Sequence, residues 1–260
     1  MKGPVAALLA ILVLAAASDL AAQAPVQVPE KHYGYQAELA FATNYVWRGV
    51  ALWGRTVGPG FVLYTQGAAE RLGGHVDVVG GFWMSLEIDH DGRALDFHDA
   101  WYTPYATVSV DVGRSGWVDL GYAVYLEPSS QPIDYQHDFQ LALNDRVELP
   151  RGWAVSAAVA CHADPIRRLG VYLRGTTGFD WTFRSLTLAA SLNVAVSRYH
   201  GTDAVPWGLQ DLTLSGLARW FVHGPLYVSL SGSIAYSRQA WVWNEGRWAP
   251  AIAFAVGAMR

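Results

Sequence analysis

From residue 34 onward the chain alternates apolar and polar side chains in blocks about ten residues long, and the links between blocks are short and long by turns. Residues 136–148 show the alternation most clearly. Gln136, Asp138, Gln140, Asn144 and Arg146 share one side, and Phe139, Leu141, Leu143 and Val147 share the other. Successive side chains of an extended strand point to opposite faces, so such a segment has one wet face and one greasy face. Residues 99–112 and 185–197 repeat the pattern.

Twelve strands are expected, near 34–47, 58–70, 74–87, 99–112, 117–127, 136–148, 152–162, 169–182, 185–198, 208–221, 226–238 and 247–259. The links at 71–74, 113–116, 150–152, 183–184 and 223–225 are tight and rich in Gly, Pro, Arg and Ser. Those at 48–57, 88–98, 128–135, 163–168, 199–207 and 239–246 are longer. Strict alternation of the two kinds gives an even-stranded antiparallel meander with both ends on the short-turn side. The expected fold is therefore all-β, a transmembrane up-and-down antiparallel barrel of about 12 strands.

Composition agrees. Charged residues are 15% of the chain, against about a quarter in soluble proteins, while aromatic residues reach 13% with 12 Trp. That balance fits a surface facing lipid with aromatic belts at its edges. A secreted β-sandwich would also alternate, but it would need neither strands this long nor outward aromatic residues near their ends. The absence of any later run of about 18 apolar residues excludes helical spans. Net charge is -4 without a basic run, so nucleic acid is not an expected partner, and one cysteine excludes an internal disulfide.

The first 24 residues read as a signal peptide. Lys2 precedes an apolar run from Ala6 to Ala17, and Ala22-Gln23-Ala24 suits a cleavage site, although Pro25 would follow the cut and a site near Ser18 is the alternative. A retained anchor helix is the competing reading, disfavoured by the short apolar run. Residues 25–33 are then a periplasmic lead-in and 34–260 the barrel, in the outer membrane.

Ala42-Thr43-Asn44-Tyr45-Val46-Trp47-Arg48-Gly49 resembles the opening signature of a family of proteobacterial outer-membrane β-barrel proteins of unknown function, in which Asn-Tyr, an aromatic residue and Arg-Gly follow the leader. Pro59 and Gln66 stand where that family has a Pro- and Gln-containing second strand. The resemblance covers the leader, the first hairpin and the length. It implies a barrel and carries no established activity. Barrels of this class end in an aromatic residue read by the assembly machinery, whereas here Phe254 is the last aromatic residue. Either Met259 takes that place, or the final strand is recognised less efficiently.

The expected lumen face carries Glu38, Arg48, Asp77, Glu87, Asp99, Asp119, Asp138, Arg146 and Arg174. Carboxylates outnumber arginines, so an open lumen should favour cations or neutral solutes, while a closed one would turn the same residues into a salt-bridged core. Twelve strands lie between the filled and the open size, so both outcomes stay open. Arg48 is read as an ion-pair partner of Glu87 or Asp99, with a filter role as the alternative. Glu87-Ile88-Asp89-His90-Asp91-Gly92 matches half of a calcium loop, but His98 stands where the closing Glu belongs. A solvated acidic loop bridging divalent ions with lipopolysaccharide is the preferred reading. No metal site and no cofactor are expected.

Enzymatic barrels need a His and a Ser side by side. His162 and Ser156 share a face but lie about 20 Å apart along a strand, His137 faces outward, and no nucleophile-elbow motif is present, so no enzyme is expected. Cys161 reads as a packed or lipid-facing thiol. Trp241, Trp243 and Trp248 read as interface anchors, with sugar stacking as the alternative. The expected function is passive, porin-like passage of small polar solutes. A closed structural or adhesive barrel is the first alternative, and a lipid-processing enzyme is the second. Expected partners are outer-membrane lipid, lipopolysaccharide and the barrel-assembly machinery, with the oligomeric state open.

Overall fold

A computed structural model describes residues 35–43, 46–47, 50–51, 60–72, 75–87, 101–127, 134–164, 170–199, 208–237 and 248–259. The leader and lead-in, residues 1–33, lie outside these. In chain order the strands are β1 (Tyr35–Ala42), β2 (Val46–Trp47), β3 (Val50–Ala51), β4 (Gly60–Leu72), β5 (Val76–Glu87), β6 (Trp101–Val112) and β7 (Gly116–Glu127). They continue with β8 (Asp134–Leu149), β9 (Trp153–Asp164), β10 (Gly170–Phe183), β11 (Leu186–Tyr199), β12 (Gly208–His223), β13 (Leu226–Ser237) and β14 (Trp248–Met259).

Twelve of these form an antiparallel up-and-down barrel, in which each strand pairs with its neighbours in sequence. β1 closes the ring. It pairs with β14 from Gln36↔Met259 to Ala42↔Ala253, and with β4 from Tyr35↔Gly67 to Ala42↔Gly60. β4 is described by its backbone, and side chains are described on the other eleven. β2 and β3 form a separate two-residue ribbon.

The first strand is shorter than the expected 34–47. Its regular pairing with β14 ends at Ala42↔Ala253, with one further bond in register from the amide of Thr43 to the carbonyl of Ile252 at 3.0 Å. The ribbon Val46–Trp47/Val50–Ala51 then takes over, so the face that Gln36 and Glu38 share cannot be extrapolated to Arg48. The strand expected from 99 begins at Trp101. The remaining boundaries fall within two residues of expectation.

Tight turns fix the register. At the β8–β9 turn Arg151 and Gly152 adopt φ of 66° and 79°. A Cβ on Gly152 would lie 2.2 Å from the carbonyl oxygen of Thr182, so only glycine fits. The indole of Trp181 donates to the carbonyl of Arg151 at 3.2 Å and ties this turn to the next strand.

The outward face is apolar: Leu143, Val159 and Leu214 are exposed to 58%, 61% and 55%, values that only a lipid surround makes tolerable on so wide a surface. Aromatic groups border it. At the short-turn end Trp153 stacks on Trp181, and Trp181 on Phe183, each at 5.7 Å between centroids. At the long-loop end Tyr236 meets Trp248 at 5.1 Å and Tyr122 meets Phe139 at 4.8 Å. These are the two belts that anchor a barrel at the lipid–water boundaries.

Candidate functional site

The inward face of the barrel gathers the polar side chains, because strand alternation sends every second residue there. Three groups of contacts line it.

The first lies toward the long-loop end. The carboxylate of Asp138 on β8 meets Nδ1 of His162 on β9 at 3.1 Å, and the hydroxyl of Tyr125 on β7 reaches it at 3.5 Å. His162 stands edge-on to the ring of Tyr172 on β10, 5.6 Å between centroids. Tyr172 in turn donates to Asp211 on β12 at 2.9 Å. Asp138, His162 and Asp211 are nearly covered, at 5%, 7% and 2% exposure. An irregularity in β12 adds a second inward polar residue beside Asp211. Ala195 pairs with Asp211 and Val196 with Leu209, so Gln210 is extra, and both Gln210 and Asp211 are buried. Gln210 accepts from Ser197 at 2.7 Å.

The second group lies lower in the lumen. Arg146 on β8 grips Asp180 on β10 through both terminal nitrogens, at 2.7 and 3.0 Å, and its Nε donates to Glu148 at 2.8 Å. The fork reaches across β9 because the positions between are small: Ser156 pairs with Arg146, and Ala154 with Asp180. Asp119 on β7 accepts from the indole of Trp117 at 3.2 Å, from Asn144 at 2.8 Å and from Ser109.

The third group bridges the seam. Tyr227 on β13 donates to Glu38 on β1 at 2.7 Å and accepts from Gln36 at 3.0 Å. To get there it crosses β14 over Gly257, where a Cβ would lie 2.4 Å from the tyrosine ring. The guanidinium of Arg219 covers the tyrosine ring at 4.8 Å.

Of the residues expected in the lumen, Glu38, Asp77, Asp119, Asp138, Arg146 and Arg174 face inward. Asp77 is 3% exposed and pairs in register with Ser109. Arg48 and Asp99 lie outside the described residues, as do the acidic loop at 88–98 and Trp241 and Trp243. Glu87 ends β5 by its backbone, and its side chain is outside them too. Sequence reasoning missed Tyr227 as a seam latch, and Trp83 and Trp117 as inward rings, 7% and 6% exposed. Parity alone would have found the tryptophans, since Trp83 shares a face with Asp77 and Trp117 with Asp119.

His162 and Ser156 do share the lumen face, but they stand at different levels. His162 lies between Gln140 and Tyr172, and Ser156 between Arg146 and Gly178. His137 faces outward, where its ring stacks on Tyr122. Cys161 is outward and half-buried between Leu141 and Leu173. Among the described residues no three His, Cys, Asp or Glu side chains converge on a metal position.

No family model matches the chain, and no curated protein does. Solved structures are similar in fold. An outer-membrane channel from Pseudomonas putida F1 superposes with a TM-score of 0.54 at 7% identity, covering 91% of this chain and 99% of that one. LpxR from Salmonella typhimurium gives 0.52 at 10% identity over 86% of this chain and 100% of that one. NanC porin gives 0.51 at 6% identity over 87% and 100%. The chain has the antiparallel up-and-down barrel fold of these outer-membrane proteins. Its apolar exterior, two aromatic belts and polar interior are the features that class requires.

Proposed function

We propose that the barrel is a passive, porin-like pathway for small polar solutes. The observation that carries this reading is the inward face of β14, where Ala249, Ala251, Ala253, Ala255 and Gly257 succeed one another. Methyl-sized side chains along a whole strand, themselves covered to within a few per cent by their neighbours, add little volume to a twelve-stranded lumen, and the remaining walls supply charged and hydroxyl groups for water and solutes. The test is single-channel current after refolding in detergent and addition to a planar bilayer. Stepwise conductance is expected. Inserted but silent protein would overturn the reading.

The second reading, a closed barrel presenting its loops to an outside partner, is favoured by the Asp138–His162–Tyr172–Asp211 chain, which ties five strands' worth of wall together inside the lumen. A lipid-processing activity comes third; LpxR, a similar fold, is an enzyme. Against it stands the separation of His162 from Ser156. We further propose that residues 1–24 direct secretion, that Asn44 to Gly49 mark kinship with the proteobacterial barrel family, and that lipopolysaccharide and the assembly machinery are the partners. In this reading the protein works without a cofactor.

A further inference from the structure

Three arginines face the described lumen, and they are not equivalent. Arg146 is saturated by Asp180 and Glu148. Arg219 lies over the ring of Tyr227, although its Nε, like that of Arg174, is buried without a hydrogen bond. Arg174, on β10, has neither kind of partner: its Nε is buried without a hydrogen bond, and among the described residues no carboxylate pairs with it.

Its surroundings make this more than an accident of rotamer. In register it stands between Ala160 on β9 and Ala195 on β11, whose methyl groups offer nothing to a guanidinium. The nearest lumen acids are already engaged, Asp138 by His162 and Asp211 by Tyr172 and Thr213. Thr176, the next inward residue of its own strand, is bonded to Asn193 at 2.6 Å. A half-buried cation without an anion is costly, and a guanidinium offers a planar fork that fits an oxyanion.

We propose that Arg174 is the docking point in the lumen for the anionic group of a small solute, a carboxylate or a phosphate. The inference rests on the passage reading for how the solute arrives, but not for the binding itself. Residue Arg174 lies four positions inside β10, about 13 Å below its outer end on an extended strand. A solute held there sits within the barrel wall rather than at the rim. The small neighbours leave room beside the guanidinium, and no acid among the described residues pairs with it.

The test separates docking from passage. Binding is read by NMR line broadening of potassium gluconate and of inorganic phosphate, with glucose as the uncharged control, on the full chain refolded in detergent. R174Q should weaken binding of the recognised anion about tenfold or more, the worth of a charge-assisted contact. R174K, which keeps the charge but loses the fork, should fall between. R184Q, at the exposed β10–β11 turn, should bind like the wild type. Retained heat-modifiable migration on gels establishes that each variant is folded. Broadening of gluconate alone assigns a carboxylate, and of phosphate alone a phosphate. Equal broadening in wild type and R174Q, none in the wild type, or as much with glucose would each overturn the proposal. Arg174-dependent broadening with a silent bilayer would uphold the docking point and overturn passage.

Discussion

The walls on opposite sides of the lumen solve the same problem by different means. From β7 to β10 the inward face carries charged and polar side chains bonded to one another across strands, over small residues of β9: Asp119 to Asn144, Arg146 to Asp180, Asp138 to His162. From β13 through β14 to β1 they are mostly Ser, Ala and Gly, with Tyr227 and its partners Gln36 and Glu38 the large exceptions. The first wall is stiffened by ion pairs that must stay complete, since a charge left alone in a covered site is expensive. The second holds by backbone pairing and by shape. Its smallness is what lets Tyr227 pass over Gly257 and fasten the last strands to the first.

The sharpest way to break this contrast is D180A. It takes from Arg146 its bidentate partner and leaves it the exposed Glu148, and the expected loss is about 3–4 kcal/mol, read from the urea midpoint of the refolded barrel in lipid vesicles. The double variant R146M/D180L should recover most of that loss, because two apolar groups replace two charges together. If D180A alone is harmless, the paired wall is not what stabilises this side.

Next comes the exterior, where the two walls should behave alike. L143R on β8 and L230R on β13 both place a charge on the lipid face, and each should cost about 2–4 kcal/mol near the midplane in the same assay. A much smaller cost on one side would show that this face is covered by protein rather than lipid.

At the seam the effects are smaller. G257A forces a methyl group into the ring of Tyr227 and should cost about 1–3 kcal/mol, with slower folding into vesicles. Adding Y227S removes the clash, so the double variant should lose less than the two single losses combined. Smallest is E38Q, which keeps the shape and the hydrogen bond from Tyr227 but removes the charge. About 0.5–1.5 kcal/mol is expected, and no change would mean that the tyrosine needs an acceptor rather than an anion there.

Much of this was legible in the chain. Alternation over 136–148 correctly sends Asp138 and Arg146 inward and Leu143 outward, because a period of two belongs to the backbone and needs no knowledge of neighbours. The turn residues likewise gave the strand number and the antiparallel order. The first strand was judged too long because Asn44 to Trp47 continue an acceptable alternation, whereas Val46 and Trp47 pair with Ala51 and Val50 in a ribbon of their own, which alternation does not reveal. The functional contrast within the lumen was illegible for the same reason. Arg146 and Arg174 read alike as inward arginines, and only the register of β9 and β10 decides that one meets Asp180 while the other meets two alanines.

The sequence by itself therefore determined which residues face water and which face lipid, since that follows from local strand geometry and the hydrophobic effect. Only the tertiary structure decided which inward charges neutralise each other, which one lacks a carboxylate or ring partner and how the ring is fastened. Those depend on side chains meeting across strands, where shifting the register by one residue would turn every partner to the other face.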